Sequence, residues 1–486
     1  MTGGLALNDA NRRWWTLAAM CFALFMVMLD NTVVNVALPS IQRDLHASLA
    51  GLQWTVNAYM LAFGVLLVTG GRLGDIFGRR RGFLFGVVLF AASSAFIGLS
   101  QSASWLIAGR AVQGVGAAFM MPATLSIITN AFGPHERGKA IGTWAGVSAM
   151  ALAIGPVVGG FLVENVSWQS IFFINLPVAL GALAITLFAA HESRDETVLA
   201  RVDFAGIATI TVGLAALTLA LVEANSWGWG SGRIVGLLAL AAAGIVAFAS
   251  VESRSEVPMV DFAFFGSRTF LGANLVAFIV SFAMLAMFFF IALYMQNVLG
   301  YSPLQAGVRF LPTTLMIIVI APLAGRLTDR IGPRPLMTGG LTLVAISLLW
   351  QSFLATDSDY AFLLPGFLLM GFGMGFVMAP MSTAAMNAVD QTKAGVASGI
   401  LSMSRMTGGV LGVAVLGAFI GRAHGQAAFV ASLGDALRIG AAVAAVGALV
   451  AWTLISSTLP SGASETPPAG DVVAPPAEAA HEPAGA

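Results

Sequence analysis

Apolar runs of about 20 residues recur along the whole chain, each long enough to cross about 30 Å of hydrocarbon as a helix. That recurrence leaves few folds open. Charged residues are 9% of the 486 and hydrophobic residues 58%, whereas a soluble domain is roughly a quarter charged. Such a chain has too few charges to coat a water-facing surface. The expectation is an all-α integral membrane protein that crosses the bilayer many times.

Several function classes drop out early. The formal net charge is zero and no basic block occurs, so nothing points to nucleic acid. A single cysteine, Cys21, excludes an intrachain disulfide and a cysteine-rich metal site. No GxxxxGK[ST] segment occurs, so the chain brings no ATP-binding loop. No cofactor, metal site or catalytic residue is expected. Arg12 and Arg13 ahead of an apolar run resemble a signal peptide, but the run extends from Trp14 to Leu38 and reads as an uncleaved first helix.

Runs bounded by charges, Gly and Pro place fourteen helices: 14–38, 51–70, 82–101, 105–128, 139–162, 171–190, 204–222, 234–251, 269–295, 304–324, 335–355, 360–386, 395–421 and 436–458. With the N-terminus inside, sixteen Lys and Arg fall in inner segments and five in outer loops, with Arg110 and Arg405 inside spans. Basic residues in short loops stay cytoplasmic, so both termini are expected there.

Two short loops repeat. Gly71, Arg72, Leu73, Asp75 and Gly78 recur as Gly325, Arg326, Leu327, Asp329 and Gly332, 254 residues later. This spacing predicts a cytoplasmic N-terminus at 1–13, a six-helix half at 14–190, an inserted helix pair at 204–251 and a second half at 269–458. Repeated halves mark secondary transporters, whose substrate site lies between them near the midplane. From 459 to 486 the chain is rich in Pro, Ala and acids, without Lys or Arg, and reads as a disordered cytoplasmic tail.

Several motifs carry a resemblance. They are Leu29-Asp30-Asn31-Thr32-Val33-Val34-Asn35-Val36-Ala37-Leu38-Pro39, the loop from Gly71 to Arg81, Arg110-Ala-Val-Gln113-Gly114-Val-Gly116, Gly155-Pro156-Val157-Val158-Gly159-Gly160, Trp168 with IFFINLP at 171–177, and YMQNVLGYSPLQAG at 294–307. Together the chain resembles the Major Facilitator Superfamily, in particular its fourteen-helix drug/proton antiporters of the EmrB/QacA type, in the membrane of a bacterial cell. The resemblance implies that Gly71, Asp75, Gly78, Arg79 and Arg80 form a cytoplasmic latch between the halves. It also implies that Gly155, Pro156, Gly159 and Gly160 form the segment that distinguishes exporters from importers. Read as residues alone, the loop is a tight positive-inside turn, and GxxxG permits close helix approach beside a proline kink.

Asp30 lies eight residues before Leu38 and Arg110 five after Trp105, so both sit at similar depth, about 12 and 7.5 Å from the outer ends. A charge there has to meet a partner or a wet cavity. Burial disfavours a carboxylate and a neighbouring guanidinium favours it. Asp30 is therefore the candidate proton carrier and Arg110 its tuning partner, against the plainer reading of a pair that only ties two helices together.

By helical face, Asn31, Asn35, Trp54, Asn57, Phe282, Phe289, Tyr294 and Gln296 are candidates for the substrate cavity. Aromatic and thioether surfaces suit poorly discriminated ligands, and rings hold cations. With one carboxylate inside the spans, monocationic or neutral lipophiles are expected ahead of dications. The leading reading is an exporter of lipophilic or cationic small molecules in exchange for protons. Alternatives are an exporter dedicated to one metabolite, lipid or siderophore, and a transport-dead sensor or scaffold, which needs neither the buried pair nor the Gly-Pro segment.

Overall fold

A computed structural model describes residues 9–194, 203–255, 258, 260, 262–389, 394–421 and 425–457. The first residues, the loop cations Arg201, Lys393 and Arg422, and the tail lie outside them. The chain folds as α1 (Asp9–Asp44), α2 (Leu49–Phe77), α3 (Arg79–Gly98), α4 (Ala103–Ala131), α5 (Pro134–Asn165), α6 (Ser170–Phe173), α7 (Asn175–Ala189), α8 (Phe204–Trp227) and α9 (Gly232–Glu252). After a short 3-10 turn follow α10 (Arg268–Asn297), α11 (Pro303–Arg309), α12 (Leu311–Ile331), α13 (Pro333–Gln351), α14 (Tyr360–Asn387), α15 (Ala394–Ile420) and α16 (Gln426–Leu454). No strand forms among the described residues.

Polar residues at the helix starts explain several boundaries. Ser48, Ser102, Ser231, Ser267 and Asp359 each accept a hydrogen bond from a backbone N–H of the first turn. Ser302 and Gln305 complete a capping box ahead of Pro303. The repeated loops share one device: Gly78 and Gly332 both have positive φ, 118° and 79°, where a side chain is strained. Several boundaries differ from the sequence reading, among them the ends of α2 at Phe77 and α12 at Ile331, seven residues later than expected. Pro39 does not end α1, which runs on to Asp44, and α16 begins at Gln426 rather than near 436. Asp435 and Arg438 therefore lie inside α16, paired at 2.8 Å.

Twelve helical stretches among the described residues are long and apolar enough to cross a membrane, with α6–α7 and α11–α12 each counting once. The sequence reading had fourteen. The two outside that count are α5, whose first turns hold Glu136, Arg137 and Lys139, and α13. The latter has 19 residues, with Arg334 between two prolines at its start and Gln351 at its end, which shortens its apolar middle.

Packing follows the loop repeat. In the first bundle α1 lies on α5 and α7, α2 on α4, and α3 on α4 and α7. In the second, α10 lies on α15 and α16, α12 on α14, and α13 on α14 and α16. The bundles meet where α2 crosses α15 and α5 crosses α11 and α12, with a smaller contact of α1 on α10. Outside this seam, α8 rests on both α2 and α15, and α9 rests on α8. A Cβ on Gly244 of α9 would stand 2.7 Å from Gly213 Cα of α8.

Candidate functional site

Asp30 and Arg110 meet inside the first bundle. Arg110 Nη1 donates to Asp30 Oδ2 at 2.5 Å, and the two residues are 0% and 1% exposed. Both carboxylate oxygens are occupied: Gln113 Nε2 donates to Oδ1 at 3.1 Å and Asn175 Nδ2 at 3.5 Å. Ser94 Oγ accepts from the same two amides, at 2.8 and 3.2 Å. Arg110 also donates to Gln113 Oε1 at 2.6 Å and, through Nε, to the Thr55 carbonyl at 3.0 Å. Its guanidinium lies 4.2 Å from the centre of the Tyr59 ring and 5.9 Å from that of Phe172. A buried charge pair is tolerable only when such added bonds fill the remaining donors and acceptors.

Five stretches of chain supply this network: α1, the last turns of α3, α4, the start of α7, and α2 through Thr55 and Tyr59. The sequence motifs include the two charges and also Gln113 and Asn175, the last two without an assigned role. Ser94 and Tyr59 are additions of the structure, and their signal is a polar side chain within an apolar run. The sequence also left open whether Asp30 meets a wet cavity. The structure gives it partners on both oxygens and no exposed surface, so the expected cation preference has no carboxylate facing a substrate to rest on.

The Gly-Pro segment of α5 lies between this network and the other bundle. A Cβ on Gly155 would overlap Thr32 Oγ1, and one on Gly159 would stand 3.0 Å from Val33 Cα. These α1 residues follow Asp30 within one turn. On its other side, a Cβ on Gly160 would be 2.6 Å from Leu304 Cα, and one on Gly307 would collide with the Pro156 carbonyl. The small residues thus let α5 touch α1 and α11 at once.

The candidate cavity residues do not gather around one space. Gln296 Nε2 donates to the Val36 carbonyl at 2.8 Å, across the seam. Tyr294 donates to the Ala355 carbonyl at 2.6 Å, and Phe289 packs on Phe290. Asn31 and Asn35 bond back to Val27 and Asn31 of their own helix. Asn57 is fully buried and Trp54 partly exposed on α2, and Phe282 stacks on Phe278. A cavity of about 10 Å³ lined by Met60, Gly64, Leu214, Thr218 and Thr407 contains none of them.

Gln53 Nε2 to the Val413 carbonyl (2.9 Å), Leu304 N to Glu164 Oε2 (3.0 Å) and Asn297 to Gln42 (3.5 Å) join Gln296–Val36 at the same end of the seam. That end holds the C-termini of α1, α5, α10 and α15 and the N-terminus of α2, where the bundles are closed on each other.

The expected loop from Gly71 to Arg81 is mostly helical, with 71–77 ending α2, 79–81 starting α3 and Gly78 alone turning the chain, and it is held within its own half. Arg79 Nε donates to Asp75 Oδ1 at 2.6 Å, and its backbone N–H donates to Ser193 O at 2.9 Å. Arg80 donates to the Leu187 carbonyl at 2.8 Å and, through its backbone, to Glu192 Oε1 at 3.0 Å. A Cβ on Gly78 would stand 2.6 Å from the same Glu192 oxygen. Gly71 lies against Pro122 of α4.

Two bundles with matching internal packing, joined along a seam and carrying an intramembrane ion pair, define a membrane transport protein. The chain belongs to the Major Facilitator Superfamily, whose model matches residues 20–413. It is 40% identical over 406 residues to the tetracenomycin C resistance and export protein of Streptomyces glaucescens, covering 84% of this chain and 76% of that one. It is 40% identical over 410 residues to a puromycin resistance protein of Streptomyces alboniger, covering 83% and 81%. A cephamycin export protein of Amycolatopsis lactamdurans matches at 36% over 461 residues, 93% of each chain. Among solved structures, a peptide transporter crystallised with sulfate superposes with a TM-score of 0.66, covering 93% of this chain and all of that one. At 14% identity, that likeness speaks for the fold.

Proposed function

We propose that this chain exports lipophilic small molecules in exchange for protons by alternating access, in the fourteen-helix drug/proton antiporter branch of its superfamily. The exporting relatives support the direction of transport. The observation that carries the coupling is the position of α5, pressed by Gly155 and Gly159 onto α1 beside Asp30 and by Gly160 onto α11 of the other half. Opening the seam moves α5, and α5 cannot move without disturbing the helix that carries Asp30.

In this reading the bundles are closed at the outer side. Asp30 accepts a proton when that side opens and loses it when Arg110, Gln113 and Asn175 close around the carboxylate again. The amides and the hydroxyl can bond to either protonation state, since each offers both a donor and an acceptor. The proposal places both termini in the cytoplasm of a bacterial cell and has α5 and α13 cross the bilayer with the other twelve stretches. Their packing against α1 and α11, and against α14 and α16, supports this. The loop at Gly71, Asp75, Gly78, Arg79 and Arg80, docked here on 187–193, latches the halves in the opposite arrangement.

The test is efflux from proteoliposomes under an imposed proton gradient, with Asp30→Asn beside the unaltered protein. The substitution is expected to abolish gradient-driven accumulation while leaving substrate exchange without a gradient. Retained accumulation would remove the carrier role.

A further inference from the structure

Arg405 lies inside a span, as Arg110 does, and its surroundings differ from those of Arg110. It lies eleven residues beyond the start of α15, about 16 Å along the axis, too far for its side chain to reach the interface. The helix is already formed at Ala394, so Arg405 is not near its start. Its Nη2 rests 3.8 Å from Met378 Sδ of α14, and its Nε is buried without an acceptor. Among the described residues no carboxylate pairs with it.

The direction it faces follows from the neighbours around α15. Gly399 and Met406 meet Val68 and Gly64 of α2, and Val413 accepts from Gln53 of the same helix. Gly408 and Gly412 press on Phe278 and Phe282 of α10. Thr407 and Leu411 line the small cavity shared with α8. The remaining sector faces away from α8, between α2 and α10. Gly409 lies in it, touching Met60 and Leu285. Arg405, one turn before Gly409 on the same face, points into that sector and reaches across to α14. It is partly exposed there, at mid-depth between the halves.

We propose that Arg405 is the recognition residue for an anionic group, a carboxylate or an ionised phenol or enol, on an otherwise apolar substrate. This rests on the exporter reading above and adds the charge class of its cargo. An unpaired guanidinium at this depth is costly, and a chain keeps such a group where a ligand completes it. Its planar donors match an oxyanion in two bonds, and the Met378 thioether beside it offers apolar, deformable surface to the rest of the molecule. Asp30 is enclosed in the first bundle and cannot serve a cation, and Asp435 of α16 is paired with Arg438.

The experiment uses the purified full-length protein and one fluorescent aromatic carboxylic acid together with its methyl ester. Equilibrium binding should favour the acid roughly tenfold or more over the ester. Arg405→Met should remove that preference, bringing the acid-to-ester ratio close to one, and Arg405→Lys should keep part of it. Equal binding of acid and ester, or a preference that survives Arg405→Met, overturns the proposal. If Arg405→Met cannot be purified folded, Arg405→Lys and Arg405→Gln decide the same question through the acid-to-ester ratio. Gradient-driven transport of the ester by the unaltered protein separates the two readings. Transport of the ester without acid preference defeats the Arg405 assignment alone, whereas no transport of either compound defeats the exporter reading.

Discussion

In the first bundle, the contact of α1 with α4 holds Asp30 and Arg110. At the loop spacing of 254 residues, the position in α10 that corresponds to Asp30 is Met284. The α10–α14 region there is filled by aromatic rings, with Phe288, Phe310 and Phe367 in a row at 4.9 and 5.3 Å. The helices pack in the same pattern, yet one bundle encloses a saturated charge network and the other an apolar stack. The second bundle's intramembrane charge, Arg405, lies at the seam and lacks an anionic partner. A repeated scaffold can therefore divide labour: one half holds a charge pair away from solvent, and the other exposes a charge to whatever enters the seam.

Substitution of the two arginines by the same residue tests this division most directly. Arg110→Met strands the Asp30 carboxylate among apolar helices and should destabilise the protein by about 3–5 kcal/mol. A thermal unfolding curve in detergent, shifted well below that of the unaltered protein, is the expected readout. Arg405→Met should shift the curve the other way. Removing an unpaired arginine from the middle of a span relieves a cost of about 2.5–3.5 kcal/mol on insertion scales. Two shifts of the same sign would show that the halves treat their charges alike.

The seam offers a smaller effect. Gly307→Ala places a methyl group against the Pro156 carbonyl, and overpacking of this kind costs about 1–3 kcal/mol. That cost falls on the closed end of the seam, which the proposed topology puts outside, so labelling of a cysteine introduced on α11 from that side should become faster. Unchanged labelling would mean that the contact of α5 with α11 does not control opening. Gln53→Ala removes one seam bond worth about 0.5–1.5 kcal/mol and should move the same readout in the same direction by less. Smallest of all is Asp75→Asn. Its pair with Arg79 is partly exposed and held in one half, so stability should change by no more than about 1 kcal/mol.

Twelve membrane-spanning segments were legible because apolar run length is a property of consecutive residues, while the runs at 139–162 and 335–355 fall outside that count. The ion pair was suggested by depth, eight residues from Leu38 for Asp30 and five from Trp105 for Arg110, although α1 runs on to Asp44. The remainder of that site was not. Ser94, Gln113 and Asn175 sit in three different runs, and nothing local says which way each helix is turned. For the same reason Tyr294 and Gln296 read as cavity wall, although one bonds to an outer loop and the other closes the seam.

The sequence by itself determined that the chain lives in a bilayer as a repeated helical protein with a carboxylate and two arginines at depth, since these follow from composition, run length and spacing. Only the tertiary structure decided which charge is spent on a partner and which remains free. Helix rotation and packing decide which buried polar atoms find a partner, and they bring Asp30 to Arg110 while leaving Arg405 facing the seam.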